Sequence, residues 1–215
     1  MCLFSFCFHL CYNKNKEFKA LNRIRGEKAK EGSSMDRAAE YYRRYLAGEE
    51  SAFDEIMKEL FGNLIFFINR YVGDLNVAED IAIDTFADLI VHRHRYHFRV
   101  TLKTYLFMIG RSRALDYLKR RKLIRFEPLS EAGEIADRSA DPEGQFLANE
   151  QKRELHQAIN RLPSEMGAAI HLVYFEELTY AEAAKIMKKK QKQIDNLLYR
   201  AKKELRAALG EEVLQ

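Results

Sequence analysis

The stretch Thr179–Leu205, TYAEAAKIMKKKQKQIDNLLYRAKKEL, decides the reading of the chain, because a dense run of lysines sits inside a strict apolar rhythm. Thr179 followed three residues later by Glu182 is a capping box, the signature of a helix start, and predicts a short helix with Ala183, Ala184 and Met187 facing inward. Beyond Lys188, Lys189 and Lys190 a second helix is expected, with Ile194, Leu197, Leu198, Ala201 and Leu205 on one apolar stripe. Gln193, Asp195, Asn196, Tyr199, Arg200, Lys202 and Lys203 then fall toward or beside the solvent face. Helix, tight turn, helix with a polar and basic outer surface is a helix-turn-helix, whose second helix can enter a DNA major groove. Lysines at the turn and the far end suit phosphates, while Asn, Arg and Asp can address base edges. The alternative, on this segment alone, is an amphipathic helix pair with a solvated charged face.

The rest of the chain sets the frame. With 215 residues, 47% hydrophobic and 32% charged, it can bury one sizeable core or two small ones. A net charge of +4 is modest, so a nucleic-acid function has to show in how charge is distributed. Three prolines, ten glycines and repeated i, i+3, i+4 apolar spacing predict an all-α chain. Neither a strand pattern nor an internal repeat is visible.

The first residues, MCLFSFCFHLCY, are apolar but too short to span a bilayer and lack the flanks of a signal peptide, so no membrane insertion is expected. Cys2, Cys7 and Cys11 lie here beside His9, in a spacing that matches no paired zinc motif. Residues 1–34 are expected to be a non-native or disordered extension. KEGSSM, Lys30–Met35, can be encoded with AAGGAGG, a ribosome-binding sequence, which gives the expectation that translation begins at Met35. The working protein would then be free of cysteine, as suits a reducing cytoplasm.

From Met35 the pattern predicts two helical blocks and a connector. The first holds a short helix around Asp36–Ala47, a longer one over Ser51–Val72 with Phe53, Ile56, Leu60, Leu64, Phe67 and Ile68 on its stripe, and a third over about Asn76–Val91. A fourth, Thr101 to about Lys122, follows the loop HRHRYHFRV. Periodicity fades over 123–149, where EPLSEAGEIADRSADPEG has loop composition. The second block is a helix to Arg161, a break at Leu162-Pro163, a helix to about Glu176, and the opening stretch.

Charge is segregated by element. Over Asp74–Val91 the acids Asp74, Glu79, Asp80, Asp84 and Asp88 meet no Lys or Arg, and Asp80, Asp84 and Asp88 recur on one helix face. Such repulsion suits a basic external partner; the other readings are a solvated face and a metal site, and one straight helix face rarely wraps a cation. From His92 to Lys122 the sign flips, with Arg93, Arg95, Arg99, Lys103, Arg111, Arg113, Lys119, Arg120, Arg121 and Lys122 against a lone Asp116. Tyr96, Phe98 and Tyr105 interleave them, a composition that fits single-stranded or distorted nucleic acid, where bases stack on rings. His92, His94 and His97 are weak metal candidates in so cationic a loop.

The segments AFDEIMKELFGNLIFFINRYVGDLNVAEDIAIDTFADLIVHRHRYH, TLKTYLFMIGRSRALDYLKRR, LPSEMGAAIHLVYFEELTYAEAAKIM and IDNLLYRAKKEL, in this order, resemble RNA polymerase sigma factors of the sigma-70 family, extracytoplasmic-function (ECF) type. The resemblance covers nearly all of Met35–Leu209. It implies a sigma-2-like bundle over 35–122, a flexible acidic linker over 123–149 and a sigma-4-like helix-turn-helix domain over 150–211. It implies a non-enzymatic, cytoplasmic promoter-recognition subunit without cofactors, partnered by core RNA polymerase at its largest-subunit clamp and its flap, by promoter DNA and by an anti-sigma protein. Glu79, Asp80, Asp84, Phe86 and Asp88 are the implied core-polymerase contacts. Arg95, Tyr96, Phe98, Arg99, Lys103, Tyr105, Arg111, Ser112, Lys119 and Arg120 are implied at the −10 element. Lys190, Lys192, Gln193, Asp195, Asn196, Tyr199, Arg200, Lys202 and Lys203 are implied at the −35 element. The acidic linker residues Glu127, Glu131, Glu134, Asp137, Asp141, Glu143 and Glu150 suit a cationic channel.

The chain departs from the family pattern at several positions. Lys188–Lys190 replace a glycine-containing turn and a hydroxyl cap, so the turn is expected to lack both an αL-tolerant residue and an N-cap. Tyr105 stands where tryptophan is common, Ser112 where asparagine is, and Gly167 and Ala168 replace bulkier residues. Two rivals are a helix-turn-helix regulator that never joins polymerase and a metal-dependent enzyme built on the Asp74–Asp88 carboxylates. The first leaves the acidic helix and linker unexplained, and the second lacks a nucleophile, a positioned base and a glycine-rich phosphate loop.

Overall fold

The computed structural model describes residues 36–124 and 150–209. The cysteines, the Met35 start and the acidic stretch 125–149 lie outside the described residues. Eight α-helices form, with no strand among the described residues: α1 Arg37–Leu46, α2 Ser51–Val72, α3 Leu75–Val91, α4 Leu102–Ile124, α5 Glu150–Arg161, α6 Ser164–Ile170, α7 Tyr180–Met187 and α8 Gln191–Leu209. The backbone of α4 runs on through 123 and 124, which the loss of periodicity had assigned to the linker.

The helix ends follow from side chains the periodicity does not weigh. Asp36 caps two helices at once: Oδ1 accepts from the Ala39 N–H of α1 at 3.1 Å and Oδ2 from the Leu102 N–H of α4 at 2.8 Å. α2 ends at Gly73, whose φ of 68° is the left-handed conformation that terminates a helix most cheaply in glycine. Asp74 then caps α3, accepting from the N–H groups of Asn76 and Val77. α2 is the central element. Its Ile56, Leu60, Leu64, Phe67 and Ile68 are all fully buried, against Ala78, Ala82, Phe86 and Leu89 of α3 and Leu106 and Phe107 of α4.

The expected single helix up to Glu176 is two segments. α6 gives way at Ile170 to a π turn over His171–Phe175, closed by the Glu176 N–H donating to the His171 carbonyl at 3.0 Å. Every residue from Met166 to Glu176 is buried. The His171 ring stacks on Phe175 at 12°, and the wider turn brings residues five apart together, with His171 Nε2 3.5 Å from Glu176 Oε1.

The two helical groups, α1–α4 and α5–α8, share one continuous core. α7 packs along α4, and α6 packs against α2. The Arg70 stem passes Gly167, with Cδ 3.6 Å from where a Cβ would sit, an ordinary contact, and the guanidinium goes on to Asn160 of α5.

Candidate nucleic-acid and polymerase interfaces

The helix-turn-helix forms as its sequence specifies. Thr179 Oγ1 accepts from the Glu182 N–H, and the Glu182 carboxylate accepts in return from the Thr179 N–H at 2.9 Å, closing the capping box. Ala183, Ala184 and Met187 are buried, joined by Ile186. Lys188 occupies the left-handed conformation itself (φ 52°, ψ 47°), and the Lys189 N–H returns to the Ala184 carbonyl at 2.9 Å. The N-cap that the lysine run lacks is half replaced, because Gln193 Oε1 accepts from the Lys190 N–H at 2.8 Å. The turn therefore keeps its shape without glycine or hydroxyl.

On α8, Ile194, Leu198, Ala201 and Leu205 are buried and Leu197 is half-buried. Lys190, Lys192, Gln193, Asp195, Asn196, Tyr199, Arg200 and Lys203 are exposed. Tyr199 is 73% exposed, and neither it, Asn196 nor Arg200 has a hydrogen bond or ion pair among the described residues. Lys202 differs from the solvated residue expected. Its Nζ lies 4.9 Å from the Tyr174 ring centroid, and desolvation there lowers its pKa. The same burial pushes the Tyr174 hydroxyl up to about 12.

The loop between α3 and α4 is an aromatic cluster with basic residues around it. Tyr96 corrects the expectation of an exposed ring. It is buried against Tyr42, Phe98 and Tyr105, donates its hydroxyl hydrogen to the Val100 carbonyl at 2.8 Å, and has its pKa raised by desolvation. Phe98 remains exposed, holds a left-handed φ of 57°, and carries the Arg43 guanidinium 4.8 Å above its ring. A bulky side chain in that conformation is strained, which the packing of Tyr42 and Tyr96 on its ring sustains. Arg95, Arg99, Lys119 and Arg120 are exposed, and Tyr105 and Ser112 are half-buried. Arg111 is a second correction: at 9% exposure it sits over the Tyr71 ring inside the bundle, so its charge is not on the surface. Lys103 is half-buried and paired with Glu176 at 2.9 Å.

The acidic face of α3 is less vacant than the sequence suggested. Asp74 is a cap, and Asp88 is 2.9 Å from His92 Nδ1, 3.5 Å from Arg113 and 3.7 Å from Arg95. Asp84 lies 3.7 Å from the same Arg113 but stays exposed, as does Asp80, while Glu79 is half-buried. The sequence showed no base within α3; α4 supplies one. Phe86 is core, 2% exposed and edge-on to Phe53 and Phe61, so it presents no surface to a partner. Among the described residues no three His, Cys, Asp or Glu side chains gather to hold a metal, and no helix is long and apolar enough to cross a membrane.

Comparison with known proteins matches this arrangement in two places. Residues 56–124 match the Sigma-70 region 2 family and residues 152–205 match Sigma-70, region 4. The ECF RNA polymerase sigma factor SigM of Bacillus subtilis is 28% identical over 164 residues, covering 72% of this chain and 93% of its own length. The RNA polymerase sigma-H factor of Pseudomonas aeruginosa is 27% identical over 178 residues, covering 77% and 90%. Among solved structures, the sigma factor RpoE of Bartonella quintana, crystallised with the anti-sigma factor NepR, superposes with a TM-score of 0.58 at 21% identity, over 73% of this chain and 96% of that one. The chain belongs to the sigma-70 family, and within it to the ECF type. It is a sigma factor that directs promoter-specific initiation of transcription with core RNA polymerase, and the reading as a regulator acting without polymerase is not favoured.

Proposed function

We propose that the two DNA-facing surfaces divide the promoter between them, the α8 face reading the −35 element in the major groove and the loop 92–101 with α4 handling the −10 element. The exposure of Asn196, Tyr199 and Arg200 without intramolecular partners carries this reading, since a solvent-facing tyrosine and an unpaired Arg–Asn pair contribute nothing to the fold. An arginine reaches guanine N7 and O6 in bidentate fashion and an asparagine reaches adenine N7 and N6, so both types can report sequence. At the other surface Phe98, Arg95 and Arg99 offer a ring and cations to an unstacked strand. The domain limits follow this division, 35–124 with α4 taken to its end at Ile124, and 150–211.

Asp80 and Asp84, exposed on α3, are the acids available to a basic surface of core polymerase, whose clamp and flap are the assigned docking partners. The B. quintana sigma factor of the same fold is held by an anti-sigma factor, which supports a protein inhibitor for this chain as well. Joining polymerase implies a cytoplasmic, non-enzymatic role. Run-off transcription with core polymerase on genomic fragments tests the proposal and yields the promoter. Transcripts that start at shared −10 and −35 sequences are expected, and Arg200→Ala should change which −35 sequences are used. Transcription unaltered by Arg200→Ala and Asn196→Ala together would remove α8 from −35 reading.

A further inference from the structure

The lysines of the turn part company in the structure. From Lys188 to Gln193 no side chain is buried, and Lys189 alone is half-buried, its Nζ 3.0 Å from Glu165 Oε1. Glu165 lies in the first turn of α6 and is itself 48% exposed. Backbone and side chain of Lys189 are thus both engaged: the N–H closes on the Ala184 carbonyl of α7 at 2.9 Å, and the ammonium ties the turn to α6. No other ion pair is made by α7, the turn or α8 among the described residues. The buried stripe of α8 begins only at Ile194, so nothing apolar fixes the turn ahead of it.

A second lysine turns inward farther along. α8 packs on α6, and Lys202 lies over Tyr174 of the π turn that continues α6. From Gln191 to Lys202 the helix rises roughly 16 Å at 1.5 Å per residue. The two lysines therefore hold α8 at points about that far apart, with Asn196, Tyr199 and Arg200 between them. A helix-turn-helix reads bases with the N-terminal part of its second helix, the part nearest the turn. A recognition side chain has to be placed to about 0.5 Å and 10–20°. A tilt of α8 by about 10° around the Lys202 contact would move the turn by about 3 Å, several times that tolerance. An exposed ion pair adds little to stability, so the consequence of the Glu165–Lys189 contact lies in placement.

We propose that Glu165 and Lys189 are positioning residues for −35 recognition: their ion pair fixes the turn to α6 and so sets the angle at which α8 presents Asn196 and Arg200 to the groove. The inference rests on the −35 assignment of Proposed function. It is tested on the full chain assembled with core polymerase, by its affinity for the promoter fragment from the run-off experiment with the −35 element intact and scrambled. Glu165→Gln and Lys189→Met should each lower the ratio of the two affinities about fivefold, the low end for losing one base contact. The melting temperature of the free chain should move by about 2 °C or less. Glu165→Gln is the sharper arm, since loss of an acid by itself tightens binding to both fragments. Glu165→Lys with Lys189→Glu reverses the pair at unchanged net charge and should restore the ratio to within about twofold of the wild type. Should the reversed pair lose helix content, Lys189→Arg takes its place and should keep the wild-type ratio. A ratio unchanged in both single variants, or one that the reversed pair or Lys189→Arg fails to hold, overturns the proposal. So does a fall of about one unit in the salt slope with Lys189→Met, the mark of a phosphate contact. A wild-type ratio near one sinks the −35 reading itself. A wild type that discriminates, with variants that discriminate as well, sinks the positioning role alone.

Discussion

Arg113 Nη2 lies 3.5 Å from Asp88 Oδ1, so the acidic face of α3 is anchored at one end by the basic helix of its own chain. Asp88 is 16% exposed and also meets His92 and Arg95, while Asp84 is 68% exposed and Asp80 is exposed without a partner among the described residues. The acids therefore divide into a structural one and two that face outward.

This division predicts different outcomes for different aspartates. Asp80→Lys with Asp84→Lys should leave helix content by circular dichroism unchanged yet lower affinity for core polymerase by an order of magnitude or more, through like charges at a basic surface. Asp88→Ala should instead cost about 1 kcal/mol of stability, by freeing the loop that His92 and Arg95 hold. Core affinity unchanged in the Asp80/Asp84 double variant, measured by titration with labelled core, would take α3 out of the interface.

The lysine turn gives a stability prediction with the opposite sign. Lys188 at φ 52° bears a left-handed strain of roughly 1 kcal/mol that glycine does not have, so Lys188→Gly should raise the melting temperature. Lys190→Ser should add about 1 kcal/mol by supplying the hydroxyl cap to α8. A melting temperature that falls in both would mean the turn is held by contacts of the lysine side chains.

How far the sequence could be read is visible at this turn and at the seam. Helix-turn-helix, capping box and the apolar stripes of α2 and α8 were legible because local periodicity and caps are written within a few residues. The fate of Tyr96, Arg111 and Phe86 was not, because a one-dimensional pattern shows composition and not which side of a loop or helix the neighbouring element covers. Nor was Glu176. Its partners are 73 and 113 residues away, and the π turn that aims it leaves no mark in the apolar spacing. The length left one core or two open, and the docking of α6 and α7 on α2 and α4 joins the two helical groups in one.

Two helical glycines should respond oppositely to alanine, although the intrinsic helix gain is about 1 kcal/mol at each. A Cβ at Gly110 of α4 would lie 2.9 Å from Leu64 Cδ1 and 3.2 Å from Ile68 Cδ1, and both side chains are fully buried. Gly110→Ala should therefore destabilise by about 1–3 kcal/mol. At Gly167 the nearest atoms are Arg70 Cδ at 3.6 Å and the Ile159 carbonyl oxygen at 3.7 Å, ordinary contacts, so Gly167→Ala should be neutral or stabilising. Urea unfolding of the two variants checks the order, and a Gly110→Ala chain as stable as Gly167→Ala would contradict the close α2–α4 packing.

Substitutions along α8 should differ in kind. Arg200→Ala and Asn196→Ala remove base-edge contacts, each costing about 1–3 kcal/mol at one base position of the −35 element and relaxing preference there. Lys192, exposed in the first turn of α8, should act on phosphate, so Lys192→Ala should weaken all sequences alike and lower the salt slope of binding by about one unit. Lys202 was expected to do the same, but its Nζ lies over the Tyr174 ring, so Lys202→Ala should leave the salt slope nearly unchanged and cost about 0.5–1 kcal/mol of stability. Leu198, 2% exposed, does neither, and Leu198→Ala should destabilise by about 2–5 kcal/mol through a core cavity. Fluorescence anisotropy on a set of −35 duplexes across salt concentrations, with thermal melts of each variant, reads all of these. Equal losses for Arg200, Asn196, Lys192 and Lys202 with no shift in preferred sequence would reduce α8 to an electrostatic clamp and refute base reading by this helix.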